Sequence, residues 1–204
     1  MIPYQLLRRL GRRAPMLKRG LIAADERLGQ FRHALGSRMP SVIRARPMKL
    51  TVAITADCNQ RCVGCRYGRD FMPGKSLPLE TFRMLADDAA EAKIPTMRIY
   101  GGEPLLHPEL PNMVEYSIDR GLGVYLTTNG VLLGRKIDDL HAAGLRSITV
   151  GFYGTDDTYD RYVGRPGQFQ RLIDSLSEVR ERFGDQIGLQ LNYLVMRPSS
   201  DLDS

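Results

Sequence analysis

From Leu50 onward the sequence alternates between short apolar or β-branched runs and longer stretches with apolar residues at helical spacing. Leu50–Ile54, Met97–Tyr100, Val124–Thr128, Ile148–Tyr153 and Ile187–Met196 have the length and composition of strands. Between them, Phe82, Leu85 and Ala89 within residues 79–92 repeat at helical intervals, as do Leu110, Met113, Val114, Ser117 and Ile118. A weaker helical stretch follows at 134–142, and Leu172, Leu176, Val179 and Phe183 form the clearest stripe. Such alternation with short connections predicts an α/β fold: a parallel sheet covered by helices, either open or curled into a barrel. In both arrangements the chemistry belongs at the C-terminal ends of the strands.

Three unusual segments fall on that rim. Cys58-x3-Cys62-x2-Cys65 follows the first strand, in a loop opened by Asp57 and containing Gly64. Gly101-Gly102-Glu103-Pro104 follows the second strand, and Thr127-Thr128-Asn129-Gly130 the third. These are the chain's three cysteines, and all fall within eight residues, whereas a disulfide framework spaces cysteines in pairs. Clustered thiolates point instead to a soft metal centre in a reducing, intracellular compartment. Flanking Arg61 and Arg66 would offset the anionic charge.

A closed structural zinc wants four ligands. No fourth cysteine is offered, His33 and His141 lie outside the motif loops, and His107 sits in the loop after strand two. A cubane cluster held by three cysteines keeps one iron open, which suits direct binding of a substrate. Spacing alone leaves zinc and iron–sulfur both open. Paired glycines let backbone approach a ligand closely, and Glu103 can accept from an ammonium. Asn129-Gly130 also reads as a turn tolerant of positive φ.

Taken together, residues 50–196 resemble the radical S-adenosylmethionine (SAM) enzymes. The resemblance implies a partial (β/α)6 TIM-like barrel over 48–204, incomplete at its C-terminus, because five of six βα units are visible. It implies that Cys58, Cys62 and Cys65 hold a [4Fe–4S] cluster whose open iron is chelated by SAM. One electron then cleaves the sulfonium bond, and a 5′-deoxyadenosyl radical abstracts hydrogen from a substrate. Gly101, Gly102, Glu103 and Pro104 would hold the methionine end, with Thr128 and Asn129 at the ribose or carboxylate. Asn192, in strand five, would face SAM or substrate.

No catalytic residue beyond the cluster ligands is assigned. An electron donor such as a flavodoxin or ferredoxin is implied, and the substrate would be a peptide, a lipid or a cofactor precursor. Tyr159–Phe169 is similar to the segment entering helix four in the peptide-modifying and cofactor-maturation branch. The family often has an aromatic residue where this chain has Gly64, which passes the adenine contact to Tyr67. Gly151-Phe152-Tyr153-Gly154 replaces a Ser-Leu-Asp sequence with a ribose-binding serine. His107 is expected to organise its loop. The rival reading is a non-catalytic zinc- or iron–sulfur-binding interaction or sensor module.

Charge separates the N-terminus from the rest. Residues 1–47 carry eleven Lys/Arg against two acids, a balance of +9, so the remainder of the +6 chain is −3. Tyr4–Leu10 can be drawn as a short helix, interrupted by Gly11, Pro15 and Gly20, before a second helical stretch from Leu21 to Leu35. Leu21, Leu28, Phe31 and Leu35 would share one face of it. This extension reads as a helical cap or as a segment lying on an anionic membrane surface, where each basic residue contributes about 1 kcal/mol. One tyrosine and one phenylalanine among the charges argue against nucleic acid. An Arg-rich, acid-poor start also resembles an organelle transit peptide. Without a secretory signal or a spanning apolar run, a cytoplasmic location is expected, with the membrane surface as its variant.

Overall fold

The structure, a computed structural model, describes residues 15–39, 47–67 and 70–194. The chain divides into two units between Arg46 and Pro47. Among the described residues of the first unit a 24-residue helix, α1, runs unbroken from Pro15 to Arg38. The expected interruption at Gly20 does not occur, Gly11 lies outside the described residues, and the helix begins at Pro15. Pro15 opens the helix, where its missing N–H is no loss and its fixed φ is already helical. Gly20 is carried inside at a cost of about 1 kcal/mol. Leu28 and Phe31 are exposed. The short helix expected over Tyr4–Leu10 lies outside the described residues.

In the second unit the elements follow as β1 (Leu50–Ala53), α2 (Leu79–Glu91), β2 (Thr96–Tyr100), α3 (Leu110–Asp119) and β3 (Gly123–Thr128). They continue as α4 (Leu133–Ala142), β4 (Ser147–Phe152), α5 (Asp156–Val163), α6 (Gln168–Phe183) and β5 (Gly188–Tyr193). All neighbouring strands pair in parallel, in the order β1-β2-β3-β4-β5. A doubly wound sheet reverses its order at a switch point, and this sheet does not. Unbroken sequential order is the winding of a barrel wall, so the open-sheet alternative gives way to a partial barrel.

Strand alternation then sorts the side chains. Met97, Ile99, Leu126, Ile148 and Val150 are fully buried beneath the helices, against Phe82, Met113, Ile137 and Leu172. Each such side chain contributes about 2 kcal/mol of burial. The residues between them face the other way, onto the inner side of the wall. Register aligns Ala53 with Tyr100 and Gly151 with Asn192 on that inner side.

One helix departs from the expected pattern. Asp156–Val163 forms α5, where the sequence pattern suggested only a lead-in to α6. Its signals are an acidic first turn, Asp156 and Asp157, and Gly164 at the left-handed C-cap with φ 68°. The next helix is entered through Asp160, whose carboxylate accepts the backbone N–H groups of Gly167 and Phe169. β5 ends at Tyr193, and the last residues of the strand expected there, 195–196, lie outside the described residues. Among the described residues no helix is long and apolar enough to cross a membrane.

Candidate functional site

The cysteine loop is held by backbone bonds at both flanks. The last-turn carbonyls of a helix have no intrahelical donor. Here Arg61 and Val63 N–H supply donors to Val163 and Tyr162 carbonyls of α5, at 2.9 and 2.8 Å. Gly164 lets the two backbones meet, since a Cβ there would lie 2.8 Å from the Arg61 carbonyl oxygen. At the other flank, Asp57 accepts from Gly74 N–H at 3.1 Å, and Thr55 and Ser76 share a 2.9 Å hydroxyl bond. Within the loop, Cys65 N–H bonds the Cys62 carbonyl and Gln60 N–H bonds Cys58 Sγ. Burial pushes the Cys58 thiol above its ordinary pKa, so ligation there must displace a proton.

Glu103, expected at the methionine end of SAM, is engaged by the protein itself. Its carboxylate is fully buried and accepts from Leu105 N–H (3.0 Å), Thr128 Oγ1–H (2.7 Å) and Asn129 N–H (2.8 Å). It ties the β2 exit to the β3 exit rather than facing the cavity described below, and Pro104 is buried behind it at the start of a short 3-10 turn. Thr128, expected at a ribose or carboxylate, spends its hydroxyl proton on Glu103. Asn129 Nδ2 donates to Asn59 Oδ1 at 2.7 Å, joining the third motif to the cysteine loop.

Desolvation raises the Glu103 pKa despite those three donors. A carboxyl with a raised folded pKa keeps its proton longer in the native state. Stability therefore falls as pH climbs from about 4.5, the ordinary value, through the folded value, and is level above it. Relative to Glu103→Gln, which does not ionise, the wild type is expected to lose urea-midpoint advantage over that rise. A difference between the two that stays constant with pH would refute this.

Gly101 and Gly102 also serve the packing of the two strand exits. A Cβ on Gly101 would lie 2.4 Å from Thr55 O, and one on Gly102 would lie 2.2 Å from Asp57 O. The glycines let the β2 exit press against the β1 exit. Gly102 and Glu103 N–H groups then bond Thr55 and Asp57 carbonyls at 2.7 Å each.

These loops surround a cavity of about 580 Å³. Cys58, Cys62 and Cys65 share its wall with Gly101, Gly102, Thr128, Asn129 and Asn192. Among the further lining residues to which sequence reasoning gave no role in the site are Gln60, Arg98, Tyr153 and Tyr162. Arg98 projects from the inner side of β2, donates to Thr127 Oγ1 at 2.9 Å and lies 5.0 Å over the Tyr100 ring. Among the described residues Arg98, and neither Arg61 nor Arg66, lines the cavity as a cation; Arg66 pairs with Asp70 at the surface. Tyr153 stacks on Tyr162 at 4.5 Å, and burial raises both phenols.

The donor set can be tested against the metal groups considered. Among the described residues, no three His, Cys, Asp or Glu side chains converge on one ion-sized point. A single zinc needs donors about 2.3 Å from one centre. A cubane takes its cysteines one per iron, at separate corners. Three thiols on the wall of one cavity, with no other His, Cys, Asp or Glu among its described lining residues, are a donor set that suits a cubane with one open iron.

Tyr67 lines a neighbouring cavity with Phe71 and Met72 and meets Tyr100 edge-on at 6.4 Å. It is not among the residues lining the cysteine cavity, whose aromatic wall is the Tyr153–Tyr162 pair. His107 organises its loop as expected: Nδ1 accepts Glu109 N–H, which leaves the proton on Nε2 for the Leu77 carbonyl at 3.1 Å. His141 packs on Phe183, away from the motifs, and the His33 side chain lies outside what is described.

Comparison with known proteins places this geometry. The AdoMet-dependent heme synthase of Methanosarcina barkeri is 33% identical over 138 residues, covering 66% of this chain and 40% of that protein. A probable GTP 3′,8-cyclase of Pyrobaculum aerophilum is 32% identical over 160 residues, covering 76% of this chain and 51% of that one. The chain thus spans about half or less of these curated relatives. Among solved structures, Streptococcus suis SuiB superposes with a TM-score of 0.62 at 15% identity, over 84% of this chain and 39% of that one. The anSMEcpe structure with bound AdoMet and a peptide gives 0.58 at 15% identity, over 71% and 42%. These structural likenesses show the fold. The Radical SAM superfamily model matches residues 52–203, and the chain belongs to that superfamily.

Proposed function

We propose that residues 48–204 form a radical SAM core domain in which Cys58, Cys62 and Cys65 hold a [4Fe–4S] cluster and the adjoining cavity takes SAM. The observation that carries this reading is the shared wall: three cysteines, Gly101, Gly102, Thr128 and Asn129 around one cavity. The chemistry supplied by the bound pair is one-electron reductive cleavage of SAM to methionine and a hydrogen-abstracting 5′-deoxyadenosyl radical.

The chain's own residues bind, orient and shield. Three thiolates leave one cubane corner without a protein ligand, the corner proposed for SAM. Arg98 offers a guanidinium to an anionic group of SAM or substrate, and the Tyr153–Tyr162 pair offers a flat wall to a ring. Asn129 and Asn192 contribute amides, and Glu103 positions the loop that carries Asn129. The Tyr153–Tyr162 pair adds an apolar surface beside the cysteines.

An electron donor such as a flavodoxin or ferredoxin is part of the proposal, as is a cytoplasmic location. The substrate belongs to the peptide, lipid or cofactor-precursor class, with the heme synthase relative favouring the last. Residues 1–47 are proposed as a separate basic extension whose α1, exposing Leu28 and Phe31, can touch an anionic membrane surface.

The test is direct. Anaerobically reconstituted chain is expected to be brown and, once reduced with dithionite, to release 5′-deoxyadenosine and methionine from SAM in equal amounts. A colourless protein with about one zinc per chain and no SAM cleavage would support the non-catalytic module instead.

A further inference from the structure

Gln60 stands between the first two cysteines and is 1% exposed. Its Oε1 faces Cys62 Sγ at 3.7 Å, in the sense of a thiol donating to a carbonyl. Its Nε2 is buried without a hydrogen-bond partner, and so is the hydroxyl of Tyr159 on α5. Tyr159 is fully buried, and the carboxamide lies close enough to its phenol to offset part of its desolvation. Two buried polar groups side by side, neither with a well-formed hydrogen bond, need a reason.

Ligation of Cys62 supplies one. A thiolate bound to iron has no proton to give and only accepts. The carbonyl now facing Sγ would then confront a second acceptor. The two ends of a carboxamide have almost the same shape, so a half-turn exchanges them without repacking. It turns N–H toward Sγ and carbonyl oxygen toward the Tyr159 side, where the phenol can donate. The arrangement that leaves two groups unpaired around a thiol pairs both around a thiolate.

Resting on the proposed function, we infer that Gln60, oriented by Tyr159, is a positioning residue that donates an N–H···S hydrogen bond to ligated Cys62 and raises the reduction potential of the cluster. The sign follows from charge. An added electron makes the sulfurs more negative, so a donor stabilises the reduced state more than the oxidised one. No proton is gained or lost by the chain in this step.

The experiment is an EPR-monitored redox titration of the full chain, reconstituted with ferrous iron and sulfide, with iron per chain measured alongside. Gln60→Leu is expected to keep its iron and lower the reduced-to-oxidised ratio at fixed applied potential about tenfold, equivalent to about 59 mV for one electron. Tyr159→Phe, which frees the amide to turn, is expected to move the ratio in the same direction by about threefold. Should Gln60→Leu take up no iron, Tyr159→Phe decides, and an unshifted midpoint there overturns the inference. A wild-type cluster with unshifted midpoints in both variants overturns this inference alone. A wild type that assembles no cluster overturns it together with the proposed function.

Discussion

Replacing Cys62 by alanine is expected to leave a folded chain that takes up no iron–sulfur cluster and releases no 5′-deoxyadenosine from SAM. The fold survives because the loop is not held by the thiol. Its anchors to α5 are the N–H groups of Arg61 and Val63, and these persist when the side chain at 62 is shortened. Cys62 is only partly buried against the core, so losing its sulfur costs about 1 kcal/mol. The site does not survive, because the cluster must bind through what the chain offers. Removing one of three thiolates opens a second iron to solvent and takes away a third of the chelation.

Iron and sulfide per chain should fall at least about tenfold, with far-UV dichroism and urea midpoint nearly unchanged. Full iron and undiminished SAM cleavage in the variant would sink the ligand assignment. Arg66→Ala makes the contrast. Arg66 pairs with Asp70 with both side chains largely exposed, so its loss is expected to change stability by less than about 1 kcal/mol.

What the sequence made legible follows from how each feature is encoded. Strand–helix alternation is a regular signal, and the five strands lie where the apolar runs put them. The cysteines and glycines declare themselves by spacing. Glu103 was harder, because a carboxylate in a glycine-rich turn looks solvated in one dimension. Only the fold shows three donors from two loops closing on it.

Arg98 escaped for a related reason. A charged residue between Met97 and Ile99 reads as the solvent face of a strand, yet in a curled sheet that face is the inside of the barrel wall. The α5 helix was missed because it is short and its apolar residues are tyrosines and a valine. Its acidic first turn and closing glycine were present, but the pattern of the longer α6 dominated the reading. That omission matters, since α5 supplies both the clamp on the cysteine loop and the phenol beside Gln60.

Gly102→Ala is expected to destabilise the second unit by about 3 kcal/mol and to empty the site while leaving all three cysteines in place. The added Cβ would lie 2.2 Å from Asp57 O and 2.7 Å from Ala56 O. Both are backbone atoms, so no side chain can swing aside. Relief requires parting the β1 and β2 exits, which breaks the 2.7 Å bonds from Gly102 N–H to Thr55 and from Glu103 N–H to Asp57. Those bonds fix where the cysteine loop begins, so thiol placement and fold stability should fail together.

Gly64→Ala separates the two effects. Its Cβ would meet nothing within 4 Å, and only its φ of +76° resists, at about 1 kcal/mol. Gly64 lines the cavity, so this variant is expected to disturb SAM cleavage more than stability. Urea midpoints and iron content for the pair provide the check. If Gly102→Ala unfolds at the wild-type midpoint, the two strand exits are not pressed together, and the tie between the cysteine loop and the glycine motif must be abandoned.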